Sequence, residues 1–256
     1  MALIELRGVY YRYPSSRSWA LRNINLEVGE ERLLVIGATG SGKTTLLRVM
    51  AGLIPDVYGG ELRGEVVRRA SIGYVPQDFD AFILMPRVGD ELIYVLENRG
   101  VPPGEIPGAV RAVAREMGIE GLLDREVSAL SVGERQRLAI ASVLLLRPDV
   151  LILDEPLAYL DPAAAHRLLE LLGRLGLRAV VIAEHRVELL ADFVDRAVVI
   201  HRGEVVVCGE PWRVFREAPA DVPIPPLLRL GARSAEEVLR VAGAGGRVVP
   251  GDRQRG

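Results

Sequence analysis

The sequence predicts an α/β fold organised on a parallel sheet, and three observations carry that prediction. Arg32 to Ile36 has the apolar pattern of a buried strand and runs into Gly37-Ala38-Thr39-Gly40-Ser41-Gly42-Lys43-Thr44-Thr45, followed by the helix-forming apolar pair Leu46-Leu47. Val150 to Leu153 and Ala179 to Ala183 are apolar without alternation, as strands covered on both faces must be. Val88 to Asn98, Pro107 to Met117 and Glu134 to Leu146 carry helical periodicity. Strands that alternate with helices place their sheet between helical layers.

Taken in order, Leu3 to Tyr13 and Leu21 to Val28 have strand spacing, separated by the turn Pro14-Ser15-Ser16 and closed by Gly29-Glu30. Gly59-Gly60 and Gly64 punctuate a further short antiparallel excursion, and Ser71 to Val75 leads as a strand to Pro76-Gln77. Leu3 to Tyr13, Leu21 to Val28 and the excursion at Gly59 to Gly64 predict an antiparallel β-subdomain beside the parallel core. Residues 82–146 read as a helical subdomain inserted between two core strands. Asp161 or Pro162 opens a helix through Leu172, and Val187 to Phe193 reads as another. Ala197 to Ile200 and Glu204 to Cys208 form an edge hairpin turning at Arg202-Gly203. Beyond Pro211 the composition changes: Val222 to Leu228 packs three prolines into seven residues, Ala235 to Val241 looks helical, and the end is rich in Gly and Arg. The expected organisation is a core domain over 1–210 with the insertion at about 82–146, and a small C-terminal extension over 211–256.

At 256 residues the chain can bury a large core. A formal net charge of −2 argues against a general nucleic-acid binder. One cysteine, Cys208, excludes an intrachain disulfide and a cysteine-cluster metal site, and its setting among valines reads as a small buried hydrophobe. No uninterrupted apolar run approaches the roughly 18 residues of a membrane span, and the N-terminus lacks the basic and apolar blocks of a signal peptide. A cytoplasmic chain, free to sit on a membrane partner, is the expectation.

The glycine-rich stretch has the pattern of a phosphate-binding loop in its strand–loop–helix context. Gly37, Gly40 and Gly42 let the backbone curl with its N–H groups inward, and the next helix presents its N-terminus to the same anion. Lys43 would reach the β- and γ-phosphates and Thr44 would hold Mg²⁺. Lys43 is the only lysine, against 31 arginines. A compact ammonium fits a tight loop where a planar guanidinium does not. Asp154, at the tip of an apolar strand, would help hold Mg²⁺, and Glu155 could polarise the attacking water. Gln77 could reach both metal and water through its amide. His185 follows the strand Ala179–Ala183 and could contact a γ-phosphate. His166 and His201 have no such context, and three dispersed histidines make no metal site. Ser131 and Glu134 form a capping-box pattern, and a capped helix N-terminus is also an anion site; both readings stand.

Over about residues 1–210 the chain resembles the ATP-binding cassette ATPases. The loop, Gln77, Leu130-Ser131-Val132-Gly133-Glu134, Asp154-Glu155, Leu160-Asp161 and His185 occur in that family's order and approximate spacing. The resemblance implies a P-loop NTPase with a RecA-like core, binding ATP and Mg²⁺ and working as a head-to-tail dimer with itself or a paralogue. It implies that Tyr13 stacks on adenine, with Tyr10 and Tyr11 as poorer matches, and that Glu155 is the general base. Ser131, Val132, Gly133 and Glu134 would face the partner's nucleotide, and Asp161 would cross the interface. Gly73 to Gln77, Val88 to Leu92, Ala183 to Arg186 and Pro223 to Leu230 are similar to the energy-coupling-factor branch. That likeness implies an ATPase powering vitamin or transition-metal import on a transmembrane scaffold subunit, beside a separate substrate-binding membrane subunit. The helical block would dock on the scaffold, and the C-terminal segment would hold the ATPase pair together. An ATPase of another ABC transporter class, a soluble non-transport member or a weakly active partner subunit are the alternatives. Two positions depart from the family pattern. Val132 stands where glycine is usual, a strained choice if that residue needs positive φ. Glu134 stands where glutamine is usual and adds negative charge near a polyphosphate.

Overall fold

The computed structural model describes residues 1–230. The chain opens with strands β1 (Ile4–Arg12) and β2 (Leu21–Val28), passes through β3 (Arg32–Ile36) into helix α1 (Lys43–Ala51), and returns as β4 (Glu61–Arg68). β1 lies between β2 and β4, antiparallel to both. Strand β5 (Ile72–Val75) enters a second sheet, after which helices α2 (Val88–Asn98), α3 (Ile106–Glu116) and α4 (Val132–Leu144) intervene. There follow β6 (Val150–Asp154), α5 (Pro162–Arg174), β7 (Ala179–Ala183), β8 (Arg196–His201), β9 (Glu204–Gly209), α6 (Pro211–Glu217) and α7 (Pro226–Arg229). The second sheet has the order β5-β6-β7-β3-β8-β9, parallel except for the edge strand β9.

Burial explains the two kinds of strand. β2 alternates because only one of its faces is covered, whereas every residue of β6 and β7 is buried. Along β6, Val150 and Ile152 pack into a core shared with α1 and the antiparallel sheet. Leu151 and Leu153 point to the opposite core, shared with α2 to α5. Continuous apolar runs are thus the sequence mark of a strand between two cores. Because β6, β7 and β3 are neighbours running the same way, their carboxyl ends meet at one edge, the usual place for a ligand in such a sheet.

Two expectations are corrected. Val187 to Phe193 is not an α-helix; only the 3₁₀ turn Val187–Leu189 forms. Val187, Leu190, Ala191 and Val194 are buried at helical spacing, but successive N–H groups bond largely three residues back, Leu190 to Val187 and Phe193 to Leu190. Tight turns bury the same side chains without a continuing helix. Cys208 is half-buried rather than enclosed, because β9 is an edge strand with one side open. The expected helix at 235–241 and the end of the 211–256 extension lie outside the described residues.

Candidate active site

β3 is buried from Leu33 to Ile36 and delivers Gly37 to the sheet edge, where the loop turns back into α1. Gly42 takes φ 111°, and a Cβ there would lie 2.9 Å from the Ala20 carbonyl oxygen, so only glycine fits. It precedes α1 with no side-chain cap and no acid in the first turn, which leaves the helix N-terminus open to an external anion. The Ser41 hydroxyl oxygen is buried with no hydrogen-bond partner. Lys43, 5% exposed, donates through Nζ to the Gly37 carbonyl at 2.9 Å and lies 3.2 Å from His185 Nε2. Burial lowers the pKa of the Lys43 ammonium, while the charges of Glu155, Asp154 and Glu184 act in the opposite direction.

β6 ends in the two carboxylates. Asp154 is 2% exposed; its Oδ2 accepts from the Tyr74 hydroxyl at 3.2 Å, and its Oδ1 has no partner. Burial raises the Asp154 carboxyl above its ordinary range, partly offset by the neighbouring Thr44 and Tyr74 hydroxyls. A buried carboxylate oxygen without a donor is costly unless something cationic completes it. Glu155 takes φ 50°, a strained left-handed conformation for a side-chain-bearing residue, fixed by its N–H bonding to the Ala183 carbonyl at 2.8 Å. Its Oε2 accepts from Gln77 Nε2 at 2.9 Å and its Oε1 lies 3.0 Å from His185 Nε2. That one nitrogen can donate to Glu155 or accept from Lys43, according to its tautomer.

The fold therefore brings Lys43, Gln77, Asp154, Glu155 and His185 to one edge from β3–α1, β5, β6 and β7. No group of three or more His, Cys, Asp or Glu is arranged to hold a metal among the described residues. The donor set suits Mg²⁺ nonetheless: one carboxylate and a hydroxyl suffice where substrate phosphates and water complete the octahedron. Thr44 and the unpartnered Asp154 oxygen are donors of that chemistry.

Tyr13 is half-buried beside α1, its hydroxyl 3.0 Å from Thr45 Oγ1 and its ring edge-on to Tyr11. Tyr11 is fully buried and donates to the Gly59 carbonyl, and Tyr10 packs against Trp19, so both are engaged elsewhere. Ser131 caps α4 in a complete capping box with Glu134. Glu134 Oε2 accepts from both the Ser131 N–H at 2.7 Å and its hydroxyl at 2.8 Å. Val132 is the first residue of α4 and has no positive φ, so its branched side chain is unstrained. These residues make no hydrogen bond to the Glu155 cluster; Val132 shares with Gln77 and Tyr159 a groove of about 310 Å³. Asp161 is exposed and accepts from the Ala164 N–H, capping α5.

Sequence reasoning gave no part to Tyr74, Glu184 or Arg186, which surround the cluster. A buried acid immediately after an all-apolar strand was the available signal for Glu184.

A family model described as ABC transporter matches residues 21–158. The chain is 34% identical over 229 residues to the energy-coupling factor transporter ATP-binding protein EcfA of Methanothermobacter thermautotrophicus, covering 84% of this chain and 73% of that protein. It is 35% identical over 229 residues to a Methanosarcina acetivorans relative named as an ABC transporter ATP-binding protein, and spans 37% of that longer chain. Among solved structures, cbiO1 from Clostridium perfringens, described as part of the ABC transporter complex cbiONQ, superposes with a TM-score of 0.75 at 30% identity, covering 84% of this chain and 91% of that one.

Proposed function

The chain belongs to the ABC transporter family, and from that premise we propose that it is the ATP-hydrolysing subunit of an energy-coupling-factor importer of vitamins or transition-metal ions. The observation that carries the reading is the convergence of Gln77 and His185 on Glu155, with Lys43 against His185 and a buried Asp154 oxygen with no partner beside them. The likeness to EcfA and to cbiO1 supports the branch.

The loop Gly37–Thr45 cradles the phosphates with backbone N–H groups, and Lys43 neutralises charge at the β- and γ-oxygens. Tyr13 packs against the base. Thr44, Asp154 and Gln77 would hold Mg²⁺, which when bound would supply charge neutralisation on the phosphates. Water attacks the γ-phosphorus, Glu155 accepts its proton, and the bond to the ADP oxygen breaks. Gln77 and His185 hold the Glu155 carboxylate from two sides, and His185 also faces the γ-phosphate.

Ser131, Val132, Gly133 and Glu134 serve the nucleotide held by a second ATPase subunit, while Asp161 crosses to it. A transmembrane scaffold, beside a substrate-binding membrane subunit, docks on the groove of about 330 Å³ between β5, α2 and α4. Phe82 and Leu84 line it, 59% and 63% exposed, the chemistry an apolar helix of a partner requires. Attachment to the cytoplasmic face runs through that scaffold; among the described residues no helix is long and apolar enough to cross a membrane. The α6–α7 segment and the residues after it act as the extension that steadies the ATPase pair.

One observation favours a second reading, a weakly active partner. Glu134 already occupies the Ser131 donors that would meet a phosphate, so the half-site offered to the other subunit competes with its own cap. Steady-state phosphate release by the full chain tests the main reading: wild type turns over ATP, and Lys43→Ala loses both ATP binding and turnover. Wild-type turnover in Lys43→Ala would reject it.

A further inference from the structure

Two charged residues flank His185, and neither takes part in the chemistry above. Glu184 is 1% exposed at the end of β7. Its Oε2 accepts the Leu157 N–H at 2.9 Å, and its Oε1 accepts the N–H groups of His185 at 2.7 Å and Arg186 at 3.3 Å. Arg186 Nη1 donates to the carbonyls of Leu157 at 3.0 Å and Leu160 at 2.6 Å. Leu157 is thereby held at both its N–H and its C=O by the two neighbours of His185. The Gln136 amide of α4 bonds to the Pro156 carbonyl in the same loop. A carboxylate this deep costs more to bury than a leucine of similar size, so what it supplies is geometry rather than net stability.

We propose that Glu184 and Arg186 are positioning residues that lock the His185 turn to the loop 156–160, so that His185 and Asp161 move as one unit. The inference rests on the ATPase reading above for its consequence, though not for its geometry. Tyr159, 65% exposed, and Asp161 stand at the outer end of this loop. Contact of a second subunit there is carried through Leu160 and Leu157 to Arg186 and Glu184. The 3.0 Å spacing of His185 from Glu155 is set by the same contacts. A loop clamped at three carbonyls and one N–H shifts as a body, because the close-packed surroundings leave no room for a gradual bend.

The test uses the full chain. Amide hydrogen exchange is followed with and without a Mg-bound, non-hydrolysable ATP analogue, and kcat and KM are measured separately. In wild type, residues 157–161 and 184–187 gain protection together. In Arg186→Ala the two segments respond independently and kcat falls roughly ten- to a hundredfold, a misplacement effect. Analogue affinity and KM stay within about twofold, because uniform binding is untouched. Arg186→Lys, which keeps a cation within reach of one carbonyl, recovers part of kcat. Wild-type kcat in Arg186→Ala, or protection of the two segments still in concert, overturns the proposal. If Arg186→Ala does not fold, Glu184→Gln carries the same test by the same two criteria. Coupled protection in a wild-type chain that releases no phosphate would sustain the clamp and reject the ATPase reading, so the two fail separately.

Discussion

Buried at the end of β6, Asp154 opposes folding, a cost that the proposed cation would offset. Burial is the largest influence on its carboxyl and raises its pKa in the folded chain. The folded state therefore holds the proton more tightly than the unfolded state does. This group's penalty is present at neutral pH and is relieved as the pH falls through the folded value. Asp154→Asn removes the buried charge and keeps an acceptor for Tyr74. The nucleotide-free chain should melt about 2–4 °C higher at pH 7, the shift expected for roughly 1 kcal/mol in a domain of this size. Mg²⁺-dependent tightening of ATP binding should be lost in the same variant. A lower melting temperature measured by calorimetry would mean that the Asp154 charge is already compensated. Lys43 offers a second test at this scale: Lys43→Arg keeps the charge, but its planar group does not fit among the Gly37 and Ala38 carbonyls. ATP affinity by titration calorimetry should drop at least about tenfold, since a charge-assisted contact to phosphate is worth that much.

Helix α4 carries two demands on one capping box. The Glu134 carboxyl sits below its usual range, chiefly through the Ser131 N–H and then its hydroxyl. Its contribution to stability is present above the unfolded-state pKa and fades as the pH falls through the folded one. Ser131→Ala should cost about 1 kcal/mol, the usual worth of a helix cap. Glu134→Gln keeps a reaching side chain and removes the charge, so urea unfolding should show a smaller loss than for Ser131→Ala. ATP turnover should rise if the carboxylate competes with the partner's phosphate; unchanged turnover would mean it does not. The elements differ in how plainly the sequence wrote them. The bounds of α2 and β7 were legible because apolar spacing and flanking turns agree there. The Val187–Phe193 segment was not, because its helical periodicity is satisfied by tight turns against a single core. Asp154, Glu155 and His185 were legible as residues following apolar strands, and Lys43 as the close of the glycine-rich loop. Tyr74, Glu184 and Arg186 were not, since each acts on partners distant in the chain, as Arg186 does on Leu157 and Leu160.

In the whole molecule one sheet separates two cores, and its edge gathers residues from four segments of the chain. The helical block joins that edge through a short path: Arg135 of α4 pairs with Asp80 at 2.8 Å, three residues beyond Gln77. A scaffold seated in the groove by Phe82 and Leu84 would press on this path. Phe82→Glu should abolish co-purification with the proposed scaffold and leave ATP affinity within about twofold, as removal of an interface anchor should. The most direct measurement of the account is phosphate release by the Glu155→Gln chain in Mg-ATP, with its mass in solution followed alongside. The account predicts retained nucleotide, a species of twice the chain mass, and release slowed at least about a hundredfold by loss of the base. Release at the wild-type rate would contradict it, because the proton of the attacking water would then have another acceptor.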